Sequence, residues 1–364
     1  MTNDEINFLL DQAILAPSGD NWQPWKFILP GNGTIELRID FDRRLPFWDE
    51  DPGTLYLSAG AVIENIRLAA QHIGYALKAD YCWSSDNPAR VAVLSFQLMT
   101  SPSSASDEAL FAGISRRVTN RDFYNPFRFV PAETFLKINE IAKTLDGFHL
   151  LWITRQQKKD YCKLVHFMMR ADRLWMGNRS ARLIMARSIR YSAAEIESMA
   201  DGMDVRVMGM NPFDRLMIPL IFSPDPRLEW IHRLGIAQAF SLRTGLQLHT
   251  SSACGILLGP EGTPLDFVRA GELMERVWIA LNQEGIALQP MCALPILVAN
   301  VKSSGQTLIS AREKEIASKL WQDFSEFIHS HSNGKKALFM FRAGYAAAPK
   351  VRLPRRKRNS FLGG

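Results

Sequence analysis

The sequence predicts a mixed α+β fold, and three observations lead to this prediction. Short runs with apolar residues at alternate positions flank turn signals, which is typical of β-hairpins. Two long helical stretches, 54–74 and 266–284, each end at a glycine, and the first of them is apolar enough to be buried. These stretches are also the best internal repeat in the 364 residues, which indicates a duplicated architecture.

The chain begins with an amphipathic helix. Thr2 and Glu5 have the spacing of a capping box, and apolar residues between 6 and 14 fall on one helical face. Pro17 ends the helix because proline cannot donate the backbone hydrogen bond that a further turn needs. After it we predict strands at 25–29, 35–40, 76–83, 89–99, 148–153, 253–258 and 337–344, and helices at 54–74, 132–145 and 266–284.

A polar loop at 16–27 separates the first helix from the first hairpin. Its sequence, Ala-Pro-Ser-Gly-Asp-Asn-Trp-Gln-Pro-Trp-Lys-Phe, places amide and hydroxyl groups between two prolines. Taken alone, Asn21 and Gln23 would be turn formers that satisfy their own backbone. The whole string, however, resembles the signature loop of the nitroreductase superfamily of FMN-dependent oxidoreductases, which lies against the flavin. Seven or eight of a dozen positions match, so the resemblance is specific.

A second motif of that superfamily, Arg-x-Ser/Thr-x-Arg/Lys, is matched at 117–121, where the chain reads Arg-Val-Thr-Asn-Arg. In the family this motif stands at the start of the first helix and holds the phosphate and ribityl chain of FMN. Ordinary members carry it before the Pro-Ser loop, whereas here it comes after the loop. A fusion of two subunits explains the reversal, because the family's flavin lies between the motif of one subunit and the loop of the other.

The chain therefore resembles the two-module, Acg-like branch of the superfamily. The resemblance implies a nitroreductase-like fold, with antiparallel sheets flanked by helices, in which an internal duplication forms an intramolecular pseudo-dimer. We place the N-terminal module at 1–106, with a Ser-rich linker at 101–106, and the C-terminal module at 107–364. The second module lacks a Pro-Ser loop, so we expect one flavin per chain. The sequence leaves open whether such chains stay monomeric.

The resemblance also implies which residues hold the cofactor. Arg117, with Arg355 or Arg356, would pair with the FMN phosphate in forked, charge-assisted hydrogen bonds. Arg121 would approach the ribityl chain and the N1 edge of the ring, and would favour the reduced anion. The implied cofactor-binding residues are Pro17, Ser18, Asn21, Gln23, Arg116, Arg117, Thr119, Arg121, Met291, Cys292, Ala293, Arg355 and Arg356.

By resemblance the chain is an FMN-dependent enzyme that uses NADH or NADPH. Flavin N5 would carry the chemistry by taking a hydride from the nicotinamide, and electrons would pass to a nitro compound, a quinone or a related small molecule. No side chain is therefore assigned a catalytic role. Two alternatives remain open: a non-catalytic protein that binds or sequesters flavin, and an accessory redox partner in a biosynthetic cluster.

Methionine is concentrated in one region of the second module. Nine of the fourteen methionines lie between 168 and 217, where the family resemblance is weakest. Flexible thioethers suit an adaptable pocket wall, and packing in the core explains them about equally well. We predict a lid over the flavin at 199–226, where the substrate would be selected.

Composition limits the partners. The six basic residues between 350 and 358 account for the whole formal charge of +6. A surface for nucleic acid or membrane would instead spread basic residues over one face, so we expect neither partner. The sequence has no Walker-type loop, no His-Glu-x-x-His and no Gly-x-Ser-x-Gly, and hydrolase or metal chemistry therefore lacks support.

The sequence favours a reducing compartment. Its four cysteines show no Cys-x-x-Cys pairing, and acidic residues at 4 and 5 stand where a secretory signal would be basic. The longest apolar stretch, 216–222, contains Pro219 and is far too short to cross a bilayer. We therefore expect a cytoplasmic protein.

Overall fold

The computed structural model describes residues 1–46, 49, 52–295, 308–332 and 334–363. The helices in these ranges are α1 (Asn3–Ala13), α2 (Gly53–His72), α3 (Ala105–Ile114), α4 (Ala132–Ala142), α5 (Lys158–Gly177), α6 (Arg179–Ser188), α7 (Ala193–Met199), α8 (Pro212–Ile221), α9 (Ile236–His249), α10 (Pro264–Gln283) and α11 (Ala311–Ser332). The strands are β1 (Trp25–Ile28), β2 (Ile35–Ile39), β3 (Tyr75–Tyr81), β4 (Arg90–Leu98), β5 (His149–Thr154), β6 (Ile189–Arg190), β7 (Met203–Asp204), β8 (Ala253–Gly259), β9 (Ala287–Pro290) and β10 (Lys336–Gly344).

Two antiparallel four-stranded sheets form the framework. Their strand orders are β1-β2-β4-β3 and β5-β8-β10-β9, and β6 pairs with β7 in a short parallel ladder. β8 is buried along its whole length because it is a central strand with packed side chains on both faces. The predicted fold class, antiparallel sheets flanked by helices, is confirmed.

The N-terminal helix and hairpin form as the sequence predicts. The Thr2 hydroxyl accepts a hydrogen bond from the Glu5 amide at 3.2 Å, and the Glu5 carboxylate accepts one from the Thr2 amide at 2.6 Å. This reciprocal pair is the predicted capping box. β1 and β2 are joined through Gly31 and Gly33, whose φ angles of 83° and 78° suit glycine.

The two long predicted helices, α2 and α10, pack against each other at a pair of glycines. A Cβ on Gly60 would stand 1.9 Å from the Val268 carbonyl oxygen, and one on Gly271 would stand 2.1 Å from the Leu57 carbonyl oxygen. Only glycine permits so close an approach of the two backbones. Each glycine is the eighth residue of its helix, so the crossing relates equivalent positions of the predicted repeat.

One hydrophobic core joins both parts of the chain, since residues of α1, α2, α10 and β10 pack in the same cluster. The C-terminal tail also crosses between the sheets. Phe361 stacks on Trp25 with ring centroids 5.9 Å apart, and Leu362 forms a parallel bridge with Phe27. The tail thereby covers the outer edge of the first sheet and links it to the end of the chain.

The predicted linker at 101–106 is shorter than expected. Ser104 accepts a hydrogen bond from the Asp107 amide at 3.1 Å and begins α3, a helix that was not predicted. The module boundary itself stays a prediction. Among the described residues, no helix combines the length and apolar character needed to cross a membrane.

Candidate functional site

Residues from several helices and loops surround a cavity of about 570 Å³. Sites that hold small molecules and cofactors typically have volumes of about 300–1,000 Å³. Its walls come from the loop before β1, the start of α2, the segment after α3, the inner faces of α5, α9 and α10, and the C-terminal tail. Ten of the thirteen predicted cofactor-binding residues line it: Pro17, Ser18, Asn21, Arg117, Thr119, Arg121, Met291, Cys292, Ala293 and Arg355.

The loop between α1 and β1 has an unusual backbone. Asp20, Asn21 and Gln23 have φ angles of 46°, 60° and 54°, in the left-handed region that residues other than glycine rarely adopt. The Ser18 hydroxyl accepts a hydrogen bond from the Gln23 amide at 2.9 Å and closes the turn. Strain of this kind persists only where the surroundings hold it, and it is often found at ligand sites.

Gln23 supports this loop and does not line the cavity. Its buried side chain donates from Nε2 to the carbonyls of Asn21 at 3.0 Å and Ala200 at 2.8 Å, and its Oε1 accepts from the Arg356 amide at 2.9 Å. Its polar atoms are already engaged within the protein, and a cofactor contact by Gln23 stays a prediction. It ties the loop to the predicted lid and to the C-terminal tail.

The segment 117–121 follows α3 and a turn at 115–116, and it contacts the edge of the second sheet through one isolated parallel bridge between Thr119 and Leu288 of β9. The Asn120 amide donates to the Leu288 carbonyl at 2.9 Å, and the Asn120 side chain donates to the Ala347 carbonyl at 2.7 Å. The three motif residues line the cavity, as does Val118. The motif therefore runs beside β9, whereas the resemblance implied the start of a helix.

Arg117 is buried beside its own counter-charge. Its Nε lies 2.9 Å from Oε1 of Glu275, its Nη2 donates to the Leu15 carbonyl at 2.8 Å, and its guanidinium stands 4.8 Å from the Trp278 ring centre. Burial raises the pKa of Glu275 to about 7, and Arg117 opposes that rise. The sequence implied an arginine free for phosphate, whereas this one already shares its charge with a carboxylate.

Arg355 has no carboxylate within ion-pair distance among the residues that the structure describes. Its Nη1 donates to Asn21 Oδ1 at 2.7 Å and its Nη2 donates to the Leu15 carbonyl at 3.3 Å, while its buried Nε has no partner there. Burial, and then the adjacent Arg117, lower the pKa of Arg355 to about 9. The site therefore favours an added negative charge.

Two predicted arginines lie outside the cavity lining. Arg116 is exposed, and its carbonyl accepts a hydrogen bond from Arg352 at 2.9 Å. The guanidinium of Arg356 lies over the Phe361 ring at 4.6 Å and donates to the Ser360 carbonyl at 3.0 Å. Neither residue is among those that line the cavity, and their assignment to the cofactor stays a prediction. Arg352 lines the cavity instead, a position that the sequence had treated only as part of a basic tail.

The wall opposite the loop is apolar, with one carboxylate. It contains methionines of α5, α6 and the predicted lid, together with aromatic residues of α5, α9 and the segment after α8: Met168, Met185, Met203, Met208, Trp175, Phe222 and Phe240. Asp172 stands among them and accepts hydrogen bonds from Trp175 Nε1 at 2.9 Å and from the Thr244 hydroxyl. Burial raises the pKa of Asp172. The segment 199–226 thus contributes to the wall, and its role as a lid remains a prediction.

Met291, Cys292 and Ala293 form the part of the wall that follows β9. The Cys292 thiol donates to the Met340 carbonyl at 3.6 Å, and burial raises the pKa of Cys292 to about 11. A thiol that keeps its proton is a poor nucleophile, so Cys292 serves here as a small packing residue.

Cations outnumber anions around the cavity. The lining arginines are Arg43, Arg117, Arg121, Arg243, Arg352 and Arg355, and the lining acids are Asp20, Asp49 and Asp172. The guanidinium of Arg121 makes no hydrogen bond or ion pair within the described ranges, whereas its carbonyl accepts a hydrogen bond from Gln247 Nε2 at 2.8 Å. Burial raises the pKa of Asp20, and the charge of Arg121 opposes that rise. Sequence reasoning missed Asp20 and Glu275, because neither belongs to a matched motif position. The arrangement suits an anionic ligand with an apolar part.

Comparison with known sequences gives partial relatives, and no family model matches the chain. Over 352 residues, 96% of this chain, it is 26% identical to "Uncharacterized protein MT1398" of Mycobacterium tuberculosis, of which the match covers 47%. Over 96 residues, 26% of this chain, it is 30% identical to "Putative NAD(P)H nitroreductase acg" of the same organism, of which 29% is covered. The chain thus spans less than half the length of these curated relatives.

Solved structures that resemble the chain are distant. One is the FMN-dependent nitroreductase NfnB from Mycobacterium smegmatis in complex with NADPH, with 15% identity, a TM-score of 0.36, and coverage of 70% of this chain and 96% of that chain. Another is a nitroreductase with bound FMN from Bacteroides fragilis, with 12% identity, a TM-score of 0.30, and coverage of 68% and 93%.

Proposed function

We propose that this chain binds FMN in the cavity and is a nitroreductase-like oxidoreductase that passes electrons from NADH or NADPH to a nitro compound, a quinone or a related small molecule. One observation carries the proposal. The Pro-Ser loop at 16–27 and the arginine motif at 117–121 are far apart in sequence, and both line the same cavity. These are the two motifs on which the resemblance rests.

The residues present fit such a cofactor. A phosphate group needs cations and hydrogen-bond donors, and Arg355 offers a buried guanidinium whose Nε lacks a partner in the described part of the chain. Ser18, Asn21 and Thr119 add short polar groups of the kind that a ribityl chain can use. The apolar wall opposite the loop offers methionine and aromatic surface for a ring.

Each residue would contribute binding or position. Arg355 would hold the phosphate, and the neighbouring Arg117, whose charge Glu275 partly balances, would lie beside it. Arg121, which has no fixed partner within the described ranges, would favour negative charge elsewhere on the cofactor. Gln23 would keep the strained loop in place through its three hydrogen bonds. When bound, FMN would supply the hydride and electron transfer through N5.

A second candidate is a protein that binds flavin without turning over. The observation that favours it is the lid segment, since Met203, Met208 and Phe222 line the cavity and Gln23 joins that segment to the loop through the Ala200 carbonyl. A segment held in this way would cover the cofactor and limit access to acceptors.

The visible spectrum of the purified protein tests both candidates. We would record it with added FMN and then with NADPH or NADH in the absence of oxygen. Flavin bands that bleach on addition of nicotinamide would support the oxidoreductase, and bound flavin that stays oxidised would favour sequestration. Failure to bind FMN at any concentration would disprove both. We expect one FMN per monomer, which absorbance during size-exclusion chromatography would measure.

A further inference from the structure

Glu275 is a fully buried carboxylate beside the candidate anion site. It lies in the middle of α10, one turn before Trp278, and its side chain is 0% exposed. Oε1 stands 2.9 Å from Arg117 Nε in an ion pair, and neither carboxylate oxygen accepts a hydrogen bond from the described residues. A buried carboxylate normally has its oxygens satisfied, so this one is poorly stabilised in its ionised form.

Three charged groups face Glu275 from the elements packed around it. Arg117 comes from the segment after α3, Arg355 from the C-terminal tail and Glu64 from α2. The two arginines both donate to the Leu15 carbonyl, at 2.8 and 3.3 Å, so their guanidinium groups are neighbours. One carboxylate therefore balances two adjacent cations, which leaves a single uncompensated positive charge at the cavity wall.

We propose that Glu275 is a proton-accepting counter-charge, which above neutral pH is ionised while the two arginines lack a ligand and becomes protonated when a phosphate group binds them. The proposal rests on the proposed function, because it takes the phosphate to be that of FMN. The step is an acid–base exchange: a phosphate dianion enters, one proton moves from solvent to a Glu275 oxygen, and no bond to phosphorus changes. Glu275 is thus a positioning residue that sets the charge of the site.

The physical reason is that charges interact strongly where water is excluded. A phosphate carries nearly two negative charges at pH 7. Paired with Arg355 and Arg117, it would compete with Glu275 for the same cations and add repulsion to a carboxylate that already lacks partners. Since burial raises the pKa of Glu275 to about 7 before any anion arrives, the further rise moves protonation into the neutral and alkaline range.

The consequence is a particular pH dependence of binding. Above pH 7 the free protein must take up a proton in order to bind, so FMN affinity should fall by up to tenfold for each unit of pH until the pKa of the complex is reached. The phosphate itself is mainly dianionic above pH 7, because its second pKa is about 6, and its own titration would act in the opposite direction. The window from pH 7 to 8.5 therefore isolates the protein's contribution.

The test measures the dissociation constant of FMN by fluorescence quenching from pH 7 to 8.5 in wild-type protein and in Glu275→Gln. Calorimetry in two buffers of different ionisation enthalpy counts the protons taken up. We expect the FMN affinity of the wild type to fall several-fold between pH 7 and 8.5, with proton uptake on binding that approaches one proton. In Glu275→Gln we expect most of this pH dependence and most of the proton uptake to disappear. Any pH dependence of FMN affinity that comes from Arg355 would remain in Glu275→Gln and can be subtracted from the wild-type value. Riboflavin, which lacks the phosphate, should show no such slope with the wild type.

A pH-independent FMN affinity in the wild type, without proton uptake, would overturn the role of Glu275 and leave the proposed function intact. Inorganic phosphate, measured in the same calorimeter, separates the opposite case. If phosphate binds with proton uptake that Glu275→Gln abolishes while FMN does not bind, the counter-charge stands and the proposed function fails. If neither ligand binds the wild type, both proposals are wrong.

Discussion

Glu64 and Glu275 occupy equivalent positions in the two halves of the molecule, and their surroundings differ. Each lies one turn beyond the glycine at which α2 and α10 cross, and each is buried. Glu64 pairs with Arg67 at 3.2 Å and also with Arg276, which itself reaches Asp107 at 3.0 Å. Glu275 pairs with Arg117 alone among the described residues.

The same contrast extends to the space beside each carboxylate. A second pocket of about 380 Å³ lies by Glu64, and both of its carboxylates are paired. Arg67 lies 2.8 Å from Glu272, which also accepts a hydrogen bond from the Tyr81 hydroxyl, and Arg269 lies over the Tyr81 ring at 5.5 Å. The cavity by Glu275 is larger, and its lining includes arginines, such as Arg121 and Arg355, that form no ion pair with a carboxylate among the described residues. The carboxylates of the first pocket are thus engaged in ion pairs, whereas the cavity keeps positive charge that an anionic ligand could neutralise. This contrast supports our proposal of one FMN per chain.

The largest expected effect is on stability, and it comes from removing Arg67, which pairs with both Glu64 and Glu272. Arg67→Met would leave the carboxylates of Glu64 and Glu272 buried with fewer partners, and losing one member of a buried ion pair costs about 3–5 kcal/mol. Urea denaturation should show this loss in the free energy of unfolding. Lys143→Met is the control, because its pair with Glu140 is exposed and should contribute less than about 1 kcal/mol. Equal effects would mean that the network is not structural.

The next effect concerns the open site. Arg355→Gln should weaken FMN binding by about 1.5–3 kcal/mol, the range for hydrogen bonds to charged groups, with little change in stability. Fluorescence quenching measures the affinity. Arg356→Gln is the matched control, since that neighbouring guanidinium lies over Phe361 and outside the cavity. If both variants lost affinity equally, the basic tail would act through its overall charge and not through one placed arginine.

A third effect compares the pH dependence of stability. Burial raises the pKa of Glu275 from 4.5 to about 7, so the folded protein retains a proton that the unfolded chain releases between these values. This contribution to stability is therefore present at low pH and falls by roughly 1.4 kcal/mol per pH unit as the pH rises towards 7. The difference in unfolding free energy between wild type and Glu275→Gln, measured at pH 5 and 6, should change by about this amount. A constant difference would contradict the raised pKa.

The sequence predicted the framework because the responsible signals are local. The capping box, the glycine turn of the first hairpin and the glycine ends of α2 and α10 each depend on neighbouring residues. It missed α3, since a serine-rich segment is typical of linkers as well as of helix caps, and Ser104 proved to be a cap. It also matched most of the cavity-lining motif positions, because that resemblance spans many residues.

What the sequence could not supply is pairing between distant residues. That Arg117 meets Glu275, and that Gln23 meets the Ala200 carbonyl, depends on how segments far apart in the chain fold together. Arg355 and Arg356 are adjacent in sequence and equally basic. Only the packing of Phe361 against the first sheet turns one of them away from the cavity. Motif positions could therefore locate the candidate site. Only the structure shows which of its charged side chains are paired and which face the cavity.

The smallest expected effect concerns the strained loop at 16–27. Ser18→Ala removes the hydroxyl that accepts from the Gln23 amide at 2.9 Å, and one such hydrogen bond contributes about 1 kcal/mol. Because Asp20, Asn21 and Gln23 hold left-handed backbone angles, we expect the loop to relax and FMN affinity to fall several-fold. Ser58→Ala is the control: Ser58 also lines the cavity, but its hydroxyl donates to the Thr54 carbonyl within α2. Equal losses in the two variants would show that the cofactor contacts hydroxyl groups generally, and a loss confined to Ser18→Ala would show that the loop's shape, or its own contact with FMN, sets the affinity.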